Sequence, residues 1–313
     1  MKFLYSLVFC MLIILLTSVI GVTAQSPGEL TQGAQLYDKW YAALGLFAPE
    51  GNMPIWSRQS TNTRSGAETW RCAECHGWDY KGREGAYASG SHYTGFPSLL
   101  RAADWLSVEQ IVAHLKGAKD PAHDFSAYLD DASLHKLAVF LKDGLIDDSR
   151  YIDSVSLKVI GGDIQNGEKL YTETCLACHG ADGKKITFRT EGVDEYLGSV
   201  ARRDPWRFLH RTRFGVAGTP MPAGYDLGWT PEDGRDILMY AQTLPSGRES
   251  APVAGVGAGS EPEPLRGGPV SNLWTGILTA LGAFFGTFGI SLLFLGGLVI
   301  LGMLIVSILR GRK

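Results

Sequence analysis

The sequence contains one short pattern twice: two cysteines separated by two residues, with a histidine directly after the second cysteine. The first copy is Cys72–His76 and the second is Cys175–His179. The preceding sequence repeats as well, since Gly33-Ala-Gln-Leu-Tyr37 comes before the first copy and Gly167-Glu-Lys-Leu-Tyr171 before the second. A motif repeated in repeated surroundings indicates that the chain consists of two related units.

The spacing within each motif has a chemical consequence. Cysteines at positions i and i+3 and a histidine at i+4 lie on one face of a helical turn. Two thiols on that face can add to the two vinyl groups of a heme, while the imidazole reaches the iron from the same side. A disulfide, a redox pair or one zinc site are the alternatives, but neither zinc nor a thioredoxin-like motif requires both histidines. The motifs therefore predict two covalently bound hemes c, attached through Cys72 and Cys75, and through Cys175 and Cys178.

Each unit resembles a class I c-type cytochrome domain, and the resemblance covers about residues 28–245. It implies an all-α fold, with an N-terminal helix, the attachment segment, a loop carrying the distal ligand and a C-terminal helix in each unit. We expect two such domains in tandem, at residues 25–150 and 151–245, the first carrying an aromatic-rich insertion. The resemblance also implies that His76 and His179 are the proximal ligands of the two irons.

A methionine loop is the candidate distal ligand of the second heme. Met221 lies between two prolines, 42 residues after His179. Flanking prolines fix φ and remove backbone donors, which suits a rigid loop that presents a thioether. Met239 is the alternative, but it lies among apolar residues of the closing helix, where core packing explains it. We therefore expect Met221 to bind the second iron.

The first unit departs from this pattern, because it has no methionine between its attachment motif and Met221. At the corresponding place stands His123, which predicts a heme with two histidine ligands. The alternatives are Met53, His92 and an open site. Since methionine ligation raises the potential and nitrogen ligation lowers it, we expect the first heme to be the lower-potential centre.

The two ends of the chain predict export and a membrane anchor. Residues 1–24 resemble a secretory signal peptide, with an uncleaved anchor as the alternative. Residues 272–309 contain an uncharged apolar run that is long enough for an interfacial segment and a transmembrane helix. The basic tail at 310–313 places the C-terminus in the cytoplasm. Residues 246–271, rich in Gly, Pro, Ala and Ser, form a tether, so the soluble domains are expected outside the cytoplasmic membrane.

Charge restricts the partners of the central region. All 32 acidic residues and 25 of the 29 basic residues lie between Gln25 and Asn272. This acidic balance is a poor match for nucleic acid, which requires clustered basic residues. One basic cluster stands out and predicts either a propionate or partner contact, or a solvated helix face: Arg202, Arg203, Arg207, Arg211 and Arg213.

These features favour an electron carrier over an enzyme. The leading hypothesis is a membrane-tethered diheme cytochrome that exchanges electrons with redox partner proteins of a respiratory chain. The first alternative is an oxidoreductase that acts on a small species, such as peroxide or a sulfur oxyanion, at an open or labile first heme. The second alternative is a fixed cytochrome subunit of a respiratory complex.

Overall fold

The computed structural model describes residues 28–190 and 193–246, with the side chains of residues 189, 190 and 193 excepted. Residues 28–187 and 194–246, which include both repeats, belong to one compact body, and the segment 188–193 is grouped apart from it. Within these described ranges, no helix is long and apolar enough to cross a membrane.

The predicted signal peptide, transmembrane segment and basic tail lie outside the described residues, as does the tether apart from Ser246. They stay predictions.

Helices dominate the described part of the chain. In order they are α1 (Glu29–Ala43), α2 (Cys72–His76), α3 (Leu99–Trp105), α4 (Val108–Leu115), α5 (Asp131–Val139), α6 (Ile164–Leu170), α7 (Leu176–His179), α8 (Leu197–Arg203), α9 (Pro205–Phe214) and α10 (Pro231–Ala241). Two π-helical turns, Phe140–Gly144 and Tyr171–Cys175, extend α5 and α6. The strands β1 (Phe188–Thr190) and β2 (Val193–Glu195) pair in a two-stranded sheet. The mostly helical fold agrees with the expectation, which did not include this sheet.

The repeated glycines explain how the first and last helices of each unit pack together. Helix α1 packs on α5, and α6 packs on α10. A Cβ atom at Gly33 would overlap the carbonyl oxygen of Lys136, and one at Gly167 would overlap that of Asp236. Only glycine permits this backbone approach, so the same residue fulfils the same packing role in both halves.

The repeated tyrosines also have equivalent roles. The Tyr37 hydroxyl donates to the Gly77 carbonyl at 2.5 Å, and the Tyr171 hydroxyl donates to the Gly180 carbonyl at 2.6 Å. Each acceptor is the residue directly after an attachment histidine. The hydroxyl therefore ties the first helix of its unit to the end of the attachment segment.

The insertion of the first unit is part of its core. The indole N–H of Trp40 donates to the Trp70 carbonyl, and that of Trp70 donates to the Gly51 carbonyl, both at 3.0 Å. Phe214, from the second half of the sequence, is buried in the same hydrophobic cluster. The cores of the two halves are thus continuous at α9.

Candidate heme-binding sites

The first attachment motif forms a short helix of its own. Helix α2 contains both cysteines and His76, and it ends at Gly77, whose φ is 78°. Burial raises the pKa of Cys72 to about 12, and it raises that of Cys75 well above its usual range. Both thiols are therefore protonated at neutral pH. Neither forms a disulfide bond in the structure.

The second attachment motif has the same local geometry. Cys175 ends a π-helical turn, α7 carries Cys178 and His179, and the segment ends at Gly180 with a φ of 79°. Burial raises the pKa of Cys175 to about 11. Among the described residues, no three His, Cys, Asp or Glu side chains come together as a metal-ion site.

The turn after each histidine is also duplicated, with one substitution. Tyr80 donates its backbone N–H to the Gly77 carbonyl, and Gly183 donates to the Gly180 carbonyl, both at 3.3 Å. Both donors have positive φ values, 61° at Tyr80 and 69° at Gly183. The left-handed region suits glycine and is unfavourable for a bulky residue, so the first half carries a strained tyrosine where the second half has glycine.

His76 is held in a defined orientation. Its Nδ1 lies 2.9 Å from the carbonyl oxygen of Pro97, which can only accept a hydrogen bond. Burial lowers the pKa of His76 to about 4, so the ring is neutral at neutral pH. With the proton on Nδ1, the lone pair is on Nε2, as a metal-binding imidazole requires.

His123 ends a 3₁₀ turn that begins at Pro121. The Asp120 carboxylate accepts the Ala122 N–H at 3.0 Å and pairs with Arg58 of the insertion. These contacts fix the loop that carries His123. Burial lowers the pKa of the His123 imidazole, which is therefore neutral as well.

The rings of His76 and His123 are 6.4 Å apart between centroids, and their planes are nearly perpendicular, at 88°. An imidazole nitrogen bonds a metal at about 2 Å, and its ring centre lies about 1.1 Å further away, so two imidazoles on opposite sides of one metal would have ring centres about 6.2 Å apart. The observed separation matches this value. The residues therefore fit a heme iron bound between the two imidazoles.

The other candidates for the first iron have different surroundings. His92 is buried, with Nδ1 3.2 Å from the Glu74 carboxylate and Nε2 2.9 Å from the Arg64 guanidinium. Since Glu74 accepts and Arg64 donates, both ring nitrogens of His92 are already engaged. Met53 is buried in the hydrophobic core, and its N–H donates to the Thr69 hydroxyl. The geometry favours His123 over both residues.

Met221 lies in the loop between α9 and α10 and is half-buried. The loop turns back on the end of α9, where a Cβ at Gly215 would lie 2.8 Å from the Met221 carbonyl. His179 is half-buried too, and burial lowers the pKa of its imidazole. Ligation of the second iron by this pair stays a prediction.

A buried polar contact joins the two halves, and the sequence did not reveal it. The Tyr80 hydroxyl lies 2.7 Å from Nδ1 of His210, whose Nε2 lies 3.1 Å from the Ala34 carbonyl. Because a carbonyl only accepts, Nε2 carries the proton and Nδ1 accepts from the tyrosine. The sequence signal that could have indicated this contact is Tyr80 itself, which stands where the second repeat has Gly183.

Asp38 forms the centre of a second polar contact between the halves. It is fully buried and pairs with Arg71 at 2.8 Å and with Arg211 at 3.0 Å. The two guanidinium groups also lie over the ring of Trp78, 5.5 and 5.3 Å from its centroid. A single carboxylate thus pairs with one arginine from each half, and Glu68 gives Arg71 a second counter-charge.

The arginine cluster lies largely against the protein itself in the described structure. Arg207 and Arg213 are buried, and Arg213 pairs with Asp148 at 2.8 Å. Arg203 pairs with Glu195, and Arg202 donates to the Leu244 carbonyl at 2.9 Å. The solvated helix face is therefore wrong for Arg207 and Arg213, whereas the propionate or partner contact stays a prediction. Helix α9 itself begins at Pro205, with Asp204 as its cap.

Residues 162–240 match the family described as cytochrome C oxidase, cbb3-type, subunit III. The matched segment contains the second attachment motif and Met221. This part of the chain is therefore similar to a cytochrome c domain, a type of domain that carries covalently bound heme c and transfers electrons. The first attachment motif lies outside the match.

Two curated relatives show similarity at a low level. The gluconate 2-dehydrogenase cytochrome c subunit of Pantoea cypripedii is 30% identical over 132 residues, which are 37% of this chain and 29% of the relative. The cbb3-type cytochrome c oxidase subunit FixP of Bradyrhizobium diazoefficiens is 30% identical over 118 residues, 36% of this chain and 37% of the relative. The chain thus spans less than two fifths of the length of either relative.

Proposed function

We propose that this protein is a membrane-tethered diheme c-type cytochrome that transfers electrons on the outer face of the cytoplasmic membrane. One heme is attached to Cys72 and Cys75, and the other to Cys175 and Cys178. The matched cytochrome c domain supports the second site. The duplicated glycine, tyrosine and turn contacts support an equivalent first site.

In this proposal the first iron has His76 and His123 as axial ligands, and the second has His179 and Met221. The observation that carries the first assignment is the 6.4 Å separation of the two perpendicular imidazole rings. Two nitrogen ligands lower a heme potential relative to a histidine and a methionine. Electrons therefore pass from the first centre to the second in the favourable direction.

The protein residues hold and shield the group, and heme supplies a one-electron iron couple when bound. The Pro97 carbonyl fixes the His76 ring, and the Asp120 turn fixes the His123 ring. Phe125 packs edge-on against His123 at 5.2 Å and against Trp70 at 6.3 Å. These apolar rings exclude water from the first site, which suits a carrier whose iron has no open position.

Removal of the distal imidazole tests this assignment. In the wild-type protein, we expect both reduced hemes to be six-coordinate and not to bind carbon monoxide. The His123→Ala variant is expected to bind carbon monoxide at one of its two hemes and to lose one low-spin signal in electron paramagnetic resonance. His135→Ala, which changes a half-exposed histidine on α5, is the matched control and should behave as wild type.

Two results would contradict the proposal. A wild-type protein whose first heme binds carbon monoxide readily would favour the oxidoreductase acting on a small species. An intact mass without two added hemes would remove the diheme assignment.

The relatives favour a second candidate, a fixed subunit of a respiratory complex. Both matched proteins are named as subunits, one of a dehydrogenase and one of an oxidase. Purification from membranes in mild detergent separates the two candidates. A carrier is expected to be recovered alone, whereas a fixed subunit is expected to be recovered with other membrane proteins in constant proportion.

A further inference from the structure

We propose that Tyr80 and His210 are positioning residues through which the second half of the chain tunes the potential of the first heme. The inference rests on the proposed function, which places a heme on Cys72 and Cys75. It concerns a contact between side chains 130 residues apart in the sequence.

The backbone of Tyr80 has a conformation that is unfavourable for a bulky residue. Its φ of 61° lies in the left-handed region, and the equivalent residue of the second half is glycine, with a φ of 69°. A bulky residue in this conformation persists only where its surroundings over-determine it. Glycine at position 80 would adopt the turn without strain, so the tyrosine side chain must provide what glycine cannot.

The side chain of Tyr80 makes contacts that glycine could not make. The Tyr80 hydroxyl donates to Nδ1 of His210 at 2.7 Å, and Nε2 of His210 donates to the Ala34 carbonyl at 3.1 Å. All hydrogen-bonding capacity of this buried imidazole is therefore used. The Tyr80 ring also packs edge-on against Tyr37 and Phe140, at 5.3 and 6.0 Å.

Tyr80 is also connected to His76, the proposed proximal ligand. The Tyr80 carbonyl accepts the Leu99 N–H at 2.8 Å and the Ser98 hydroxyl at 3.4 Å. The adjacent residue, Pro97, provides the carbonyl that accepts the Nδ1–H of His76 at 2.9 Å. Tyr80 thus holds the segment whose carbonyl orients the ligand.

The expected electronic effect follows from this hydrogen bond. A carbonyl that accepts the Nδ1 proton increases the basicity of a metal-bound imidazole. A more basic ligand stabilises the oxidised iron and lowers the potential. If the Pro97 carbonyl is held less firmly, the hydrogen bond weakens, and the potential of the first heme rises.

The test compares Tyr80→Phe with Tyr151→Phe. Both changes remove one tyrosine hydroxyl from a buried residue, and the Tyr151 hydroxyl donates to Glu232 instead. In a redox titration of the full-length protein, Tyr80→Phe is expected to raise the lower-potential step and leave the higher step unchanged. Nuclear magnetic resonance should show faster exchange of the His76 Nδ1 proton. Tyr151→Phe should change neither step.

Two variants at position 210 keep the inference falsifiable if Tyr80→Phe folds poorly. The amide of His210→Gln can donate to the Ala34 carbonyl and accept from the Tyr80 hydroxyl, so wild-type potentials are expected. His210→Leu can do neither and should reproduce the shift of Tyr80→Phe.

Unchanged potentials in both Tyr80→Phe and His210→Leu would overturn the inference, as would equal shifts of both steps. The ligation test is separate from this outcome. Wild-type spectra without two histidine ligands on the first iron would overturn the proposed function, whereas the potentials of the variants report on the His76–Pro97 hydrogen bond.

Discussion

His76 and His210 have the same side chain, and their neighbours in the structure give them different roles. Burial lowers the pKa of both His76 and His210 to about 4, so each ring is neutral under ordinary conditions. Each donates one N–H to a backbone carbonyl. The difference lies in the other side of the ring, where His76 faces His123 and His210 meets the Tyr80 hydroxyl. The first arrangement suits a ligand, and the second suits a structural contact.

The lowered pKa of His210 predicts a pH-dependent stability. The folded state binds this proton only near pH 4, whereas the unfolded chain binds it near pH 6.5. The contribution is therefore complete above pH 6.5 and is lost as the pH falls through 4, by about 3 kcal/mol in total. We expect thermal unfolding curves of His210→Gln to lack this part of the acid dependence. Identical slopes for the variant and the wild type would contradict the prediction.

At this scale local spacing and position in the sequence predict the attachment residues and His123, and their binding of heme stays a prediction. It could not predict the Tyr80–His210 pair or the partners of the arginines. Those contacts join segments far apart in the sequence, and a charged residue carries no local sign of an internal partner.

At the scale of elements, the crossing of the first and last helices depends on two glycines. Glycine lowers the stability of a helix interior, by about 1 kcal/mol relative to alanine. Both halves nevertheless place glycine where α1 meets α5 and where α6 meets α10, because a carbonyl oxygen occupies the position of the missing Cβ. The repeated sequence around Gly33 and Gly167 predicted related helices, but not this close approach.

Alanine at the first crossing is therefore expected to be destabilising, although alanine favours helices. Gly33→Ala should lower the free energy of unfolding by about 1–3 kcal/mol, since the new methyl group must displace backbone. Chemical denaturation measures this change. In the control Gly234→Ala, the methyl group would face the side chain of Arg213 at 3.1 Å rather than backbone. An equal or smaller loss in Gly33→Ala than in the control would count against the crossing.

At the scale of the whole molecule, polar as well as apolar contacts join the two halves. Asp38 pairs with an arginine from each half, and Phe214 enters the core of the first. The sequence predicted two repeats but treated them as separate domains, because the repeated motifs describe each unit alone. The division at residue 150 stays a prediction.

Removal of the shared carboxylate should weaken the whole molecule. Asp38→Asn removes the charge that the buried Arg71 and the half-buried Arg211 share, while Arg71 keeps its pair with Glu68. Breaking a buried pair costs about 3–5 kcal/mol, so we expect a loss toward the lower end of this range. Calorimetry of the wild type should show one unfolding transition for both halves, at a lower temperature in the variant.

The matched control is Asp147→Asn, which breaks an exposed pair with Lys81. Such surface pairs contribute at most about 1 kcal/mol. If Asp38→Asn unfolded at the same temperature as this control, the shared carboxylate would have no special role.

The left-handed tyrosine also limits how this chain can be divided or recombined. A fragment ending near residue 150 would keep the unfavourable backbone at Tyr80 but lose the imidazole that offsets it. The second repeat has Gly183 at the equivalent position, where this backbone conformation is not strained. We therefore expect the first repeat to be less stable when it is moved alone than when it stays beside the second.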